Sequence, residues 1–144
     1  MKNLEFKSKN ARLEFGENFI EITNLKYFSE EKVGGSQYNT LYELRVQSCD
    51  GKFTGVGDGE DDIENIKKLA DELQQMYELK LDEVKYRDAF GFVMLEFFLS
   101  KNGHITISGL VDNFSHTMEF EFEADQTALL PFINKLNKML EEAA

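Results

Sequence analysis

Two dipeptides constrain this chain more than any other feature. Asp50-Gly51 and Asn102-Gly103 each lie between runs that alternate apolar and polar residues. Such pairs supply the positive φ angles of a tight hairpin turn, so each predicts two antiparallel strands side by side. Tyr38 to Cys49 forms the first incoming strand, with Tyr42, Leu44 and Val46 inward, and Lys52 to Val56 returns. Phe92 to Lys101 and His104 to Val111 form the second hairpin. A short strand over residues 83–88 precedes it; a turn near Asp112-Asn113 leads on to Thr117 to Glu123. Upstream, Ala11, Leu13 and Phe15 alternate with Arg12 and Glu14, and after Gly16-Glu17-Asn18 the pattern resumes from Phe19 to Phe28. The paired glycines of Lys32-Val33-Gly34-Gly35-Ser36 mark a loop.

Each hairpin is followed by an amphipathic helix. Asp61 or Asp62 caps the first, whose stripe is Ile63, Ile66, Leu69, Ala70, Leu73 and Met76 and which runs to about Leu79. Asp125 opens the second, with Leu129, Phe132, Leu136 and Leu140 on one face. Pro131 leaves its start open, because a proline inside a helix removes a hydrogen bond; the main helix begins either at Asp125 or at Pro131. Counted from Asp62 and from Asp125, apolar residues fall at the same three offsets: Ile66, Leu69 and Leu73, then Leu129, Phe132 and Leu136. Internal duplication explains this, and so does the ordinary period of any amphipathic helix. The predicted fold is a single α+β domain over residues 1–144, antiparallel hairpins with two amphipathic helices packed on the sheet.

A turn centred on Asn102-Gly103 places Phe98 opposite Ile107 and Ser100 opposite Ile105. A turn centred between Asp112 and Asn113 places Ile107 opposite Met118 and Ile105 opposite Phe120. The predicted core face is then Met94, Phe98, Ile105, Ile107, Val111, Met118, Phe120 and Phe122. The opposite face carries Leu95, Phe97, Leu99, Thr106, Ser108, Leu110, Thr117, Glu119, Glu121 and Glu123. Two accounts of that mixed face stand. Other strands cover its apolar half while the glutamates are solvated, or it is a docking surface rimmed by acid.

Composition narrows the partners. The 144 residues include 16 basic and 27 acidic side chains, a net charge of −11, with a pI near 4.6. A chain so acidic is unsuited to nucleic acid or to an anionic membrane, since both are bound by neutralising phosphate charge. Cys49 is the sole cysteine, which excludes an internal disulfide and a multi-cysteine metal site. The start, MKNLEFKSKN, has no apolar signal-peptide core, and no run approaches the roughly 18 apolar residues of a membrane span. A cytoplasmic location is expected.

No motif specifies a reaction. Asp58-Gly59-Glu60-Asp61-Asp62 begins like a calcium loop, but Ile63 stands where the loop needs glycine and Leu69 where it needs glutamate. Gly55-Val56-Gly57-Asp58-Gly59-Glu60 lies between strand and helix as a dinucleotide loop would. Glu60 replaces its third glycine, and the acid would repel a pyrophosphate. His104 and His116 fall roughly 16 Å apart in the register above, too far to share a metal. No cofactor or metal is expected, and scattered carboxylates specify no hydrolysis.

Gly103-His104-Ile105-Thr106-Ile107-Ser108-Gly109, then Phe120-Glu121-Phe122 and Asp125-Gln126-Thr127 with Leu129, resembles the WapI-type immunity proteins of bacteria. Phe53-Thr54-Gly55 before an acidic stretch and a Leu-rich helix is similar too. The resemblance spans most of residues 40–140. It implies a non-enzymatic protein that binds the toxin domain of a contact-delivered toxin and blocks it by stoichiometric occlusion. Toxins that are nucleases need basic surfaces, which an acidic inhibitor would complement. The acidic residues that would meet such a partner are Asp58, Glu60 and Asp61 in one loop and Glu119, Glu121 and Glu123 on one strand. The competing classes are a general interaction or small-ligand module with a Phe-lined cavity between sheet and helices, and, last, a carboxylate enzyme.

Overall fold

Hairpins that turn tightly build meanders, and the chain contains two. The computed structural model describes residues 10–28 and 38–143; the Gly34-Gly35 loop and the residues before Asn10 lie outside them. The first antiparallel sheet joins β1 (Asn10–Phe15), β2 (Asn18–Tyr27), β3 (Thr40–Ser48) and β4 (Phe53–Asp61) in that order. Helix α1 (Ile63–Tyr77) follows. The second sheet joins β5 (Glu83–Arg87), β6 (Val93–Leu99), β7 (His104–Asn113) and β8 (His116–Asp125), and α2 (Leu129–Ala143) closes the chain. The order of four strands and a helix therefore occurs twice, the topology that a duplication would leave.

The helices cross over. α1 packs against β5 of the second sheet, α2 packs against β1 and β2 of the first, and the two helices touch each other. Their buried stripes are those of the sequence: Ile63, Ile66, Leu69, Ala70, Leu73 and Met76 on α1, and Leu129, Phe132, Leu136 and Leu140 on α2. Each exchanged helix covers the apolar inner face of the other half, so one core serves both sheets. Asp62 holds the N-cap position of α1, but the side chain that caps Ile63 N–H is Asn39, at 2.9 Å. At the other end, Asp125 leads into a single 3-10 turn, Gln126–Ala128, before α2 begins at Leu129. Pro131 thus falls in the first helical turn, where an N–H has no intrahelical acceptor to lose.

The two turns behave differently, and the difference decides which residues are buried. At Asp50-Gly51 both central residues have positive φ, 55° and 86°, and Lys52 N–H bonds to Cys49 O at 3.2 Å. The two-residue turn forms as predicted and pairs Ser48 with Phe53. At Asn102-Gly103 only the glycine has positive φ. Gly103 N–H bonds to Ser100 O at 3.1 Å, and Ser100 N–H to His104 O at 2.8 Å, which makes a three-residue loop. The extra residue shifts the register by one, to Phe97 opposite Ile107 and Leu99 opposite Ile105. A one-residue slip turns a whole strand over. On β6 the buried set is therefore Val93, Leu95, Phe97 and Leu99, while Met94 and Phe98 face solvent, the reverse of the sequence expectation.

The β7–β8 turn corrects the register without changing the face. Phe114-Ser115 is its tip, pairing Asn113 with His116, so Ile107 meets Phe122 rather than Met118. The shift is an even number of residues, and Ile105, Ile107, Val111, Phe120 and Phe122 stay inward.

The acidic stretch predicted as a loop is strand. β4 continues through Asp58 and Glu60 to Asp61, paired residue for residue with β3. Gly55, Gly57 and Gly59 make this possible, since they share the inner face of β4. A Cβ on Gly55 would lie 2.7 Å from Met118 Sδ, and one on Gly59 would enter the ring of Tyr42. Alternate glycines let β4 lie directly against β7 where the sheets meet.

Candidate partner-binding surface

With the helices on the inner faces, each sheet keeps an outer face, and the two differ in how their charge is held. On the first sheet Glu21 and Glu43 have partners. Glu21 accepts Arg12 Nε at 2.9 Å and Asn10 Nδ2 at 2.7 Å, Arg12 lies 4.0 Å above the centroid of the Phe19 ring, and Glu43 lies 3.6 Å from Arg45. On the second sheet, β8 is an edge strand and carries Glu119, Glu121 and Glu123 outward at alternate positions, about 7 Å apart. Among the described residues none of the three forms an ion pair.

Register places the neighbours of that row. Glu119 pairs with Leu110, which pairs with Met94; Glu121 pairs with Ser108 and then Glu96; Glu123 pairs with Thr106 and then Phe98. The two central strands of the face thus carry Met94, Leu110 and the half-exposed Phe98 interleaved with Glu96, Ser108 and Thr106, bounded on β8 by acid. On β5 it is bounded by Lys85 and Arg87. Glu83, 3.1 Å from Lys85, holds that ammonium's pKa above its ordinary value. The face is hollowed into a concavity of about 540 Å³ whose lining includes Met94, Leu110, Glu119 and Glu121. Its apolar members, apart from Leu110, are not those predicted: Leu95, Phe97 and Leu99 belong to the core.

The other acidic group does not form one cluster. Asp58 is exposed on the outer face of β4, opposite Glu43. Glu60 is half-buried, and its backbone is tied to the second sheet: its N–H bonds to Asp88 Oδ2 at 3.1 Å, and its carbonyl accepts Ala89 N–H at 2.9 Å. Asp61 points inward and is 2% exposed. It accepts Tyr86 Oη–H at 3.0 Å, Asn65 Nδ2 at 2.8 Å and Asp62 N–H at 2.8 Å. Tyr86 in turn shares a 2.7 Å hydrogen bond with Tyr42. Burial pushes both phenols well above the ordinary tyrosine value. This buried chain joins β3, β4 and β5 and has no surface to offer a partner.

Sequence reasoning missed a set of exposed aromatics. Phe114 at the β7–β8 tip is 87% exposed, Phe53 at the start of β4 is 61% exposed, and Phe90 is half-exposed. Tyr38, Phe90, Phe92 and Phe114 follow one another at ring-centroid distances of 5.5, 6.1 and 6.1 Å. Between Phe53 and the β7–β8 tip lies a second concavity, of about 840 Å³, lined by Phe53, Val56, Phe114, His116, Met118 and Glu119 among others. Glu119 borders both concavities. The signal available was a phenylalanine flanked by Asn113 and Ser115, an apolar residue in a polar turn.

His116 pairs with Asn113, nine residues along β7 from His104 and so roughly 30 Å away. Among the described residues no three His, Cys, Asp or Glu side chains gather as a metal would require. No described helix is long and apolar enough to cross a membrane.

Residues 10–143 match a family described as the immunity protein WapI-like family. The chain belongs to that family. The WapI-like motifs turn out to be scaffold. Gly103 makes the hairpin, Phe120 and Phe122 are core, and a Cβ on Gly109 would strike the Met94 carbonyl. Gln126 ties the two helices, its Nε2 donating to Tyr77 O at the end of α1 at 2.8 Å. No curated protein matches this WapI-like chain. Among solved structures it is similar to Trypanosoma bruciei MRP1/MRP2, at 10% identity and a TM-score of 0.53, covering 96% of this chain and 86% of that one. At that identity the likeness is one of fold alone.

Proposed function

We propose that this protein is the immunity partner of a contact-delivered toxin, and that it acts by stoichiometric occlusion of a basic surface on the toxin domain. Family membership supplies the class. The observation that carries the mode of binding is the β8 row: three exposed carboxylates that form no ion pair among the described residues, along a sheet face that also exposes Met94 and Phe98. Folding has no use for unneutralised like charges at alternate positions of one strand, which repel. A basic partner relieves that repulsion, and the field of a −11 chain speeds its approach. Asp58 and Glu60 extend the acidic field from the first sheet; Asp61 does not take part. A cytoplasmic site of action follows from this reading, because the toxin acts where it is delivered.

The test is co-expression. The C-terminal domain of a secreted toxin encoded beside this gene is expressed in a test cell with and without the protein. Survival only with the protein, together with a one-to-one complex recovered from the cells, is the expected outcome. Equal killing in both cells would overturn the proposal.

A further inference from the structure

The tip of the β7–β8 hairpin is built against its own interest. Phe114 has a φ of 54°, in the left-handed region where asparagine and glycine are at ease and a bulky side chain is strained. Its ring is also the most exposed large apolar group among the described residues. The positive φ does not help the fold, since an asparagine would turn the same hairpin without strain, and the ring touches Phe92 on one side while staying 87% exposed. Phe53 and Phe114 both line the second concavity, together with Val56, Met118, His116 and Glu119.

The molecule shows what such a set of groups holds. On the first sheet, Arg12 lies 4.0 Å above the Phe19 ring and donates Nε to Glu21 at 2.9 Å, an arginine held between an aromatic face and a carboxylate. Around Phe114 the ring and the carboxylate are present and no described cation pairs with Glu119. We infer that the cleft between Phe53 and Phe114 receives an arginine side chain of the protein partner. Its aliphatic stem lies on Val56 and Met118, and its guanidinium is shared by an aromatic face and Glu119. Arginine suits the cleft better than lysine because its planar, weakly hydrated head stacks on rings, and its stem covers apolar floor. The inference rests on the proposed function for the partner's identity, but not for the chemistry of the site.

Two arms separate them. In the first, the full chain is titrated by NMR with a blocked Gly-Arg-Gly peptide and with its neutral citrulline and leucine counterparts. Saturable shifts at Phe114, Met118 and Glu119 are expected with arginine, on the order of threefold or more weaker with citrulline and in the variants Phe114→Asn and Glu119→Gln. Phe114→Asn relieves the left-handed backbone, so its thermal midpoint should hold or rise, and lost binding is not lost folding. Absence of a saturable shift, or equal response to leucine or citrulline, overturns the site. In the second arm, both variants are titrated against the toxin domain that the wild type neutralises. Affinity about tenfold weaker for each supports the site. Wild-type affinity in both overturns it while immunity stands. A specific arginine titration beside failed rescue by the wild type overturns immunity and leaves the site standing.

Discussion

Asp58 and Asp61 are three positions apart on one acidic strand, yet the pleat gives them opposite work. Asp58 is solvated, and its replacement by alanine should change stability by no more than about 0.5 kcal/mol. Asp61→Ala strips the acceptor from Tyr86 and Asn65 inside the fold, and should cost about 3 kcal/mol. Urea unfolding of the two variants measures both; equal midpoints would mean that the buried chain contributes nothing. The same chain sets a pH dependence. Tyr42 and Tyr86 have folded pKa values raised above the ordinary 10.0 by burial, so they keep protons that the unfolded chain releases. Their contribution is fully present below pH 10 and declines above it, by about 1.4 kcal/mol per pH unit for each tyrosine. Denaturation followed from pH 8 to 11 should show a flat region and then that fall, shallower by one tyrosine in Tyr86→Phe.

At the scale of elements, nearly all that could be read in advance was read from period and turn chemistry. Strand and helix positions follow from apolar spacing, and the α1 stripe is buried residue for residue. What failed was register at Asn102-Gly103. A two-residue and a three-residue loop can both use Asn-Gly, and the choice between them turns β6 over. Two phenylalanines report it. Phe97→Ala should destabilise by about 3–5 kcal/mol, as expected of a fully buried ring, whereas Phe98→Ala should cost little. Thermal unfolding of the pair decides the register, and the opposite ranking would restore the two-residue turn. The continuation of β4 beyond Val56 was missed for a related reason. Glycine and aspartate are poor strand formers, and only the contact with Met118 and Tyr42 reveals why three alternate glycines belong in a strand.

For the molecule as a whole, charge is the quantity on which the proposed function rests most directly. Reversal of Glu119, Glu121 and Glu123 to lysine should slow association with the toxin domain at least tenfold at low salt. It should leave the melting temperature unchanged or higher, since among the described residues these groups have no ion pairs to lose. Wild-type association should itself slow as ionic strength rises past 0.15 M, where screening shortens to about 8 Å. Stopped-flow rates across a salt series check both, and rates insensitive to salt would remove electrostatic steering from the mechanism.

Composition, turns and periodicity determined by themselves that this is an acidic α+β chain of hairpins and two amphipathic helices. They could do so because backbone preference and apolar period are local properties. The family motif was legible for the same reason: Gly103, Phe120, Phe122 and Gln126 hold the scaffold. Only tertiary structure decided that the helices exchange sheets, that Asp61 is interior, and that Phe53, Phe114 and Glu119 share one cleft. These depend on contacts between segments far apart in the chain and on a single residue of hairpin register, and neither is written in any local stretch of sequence.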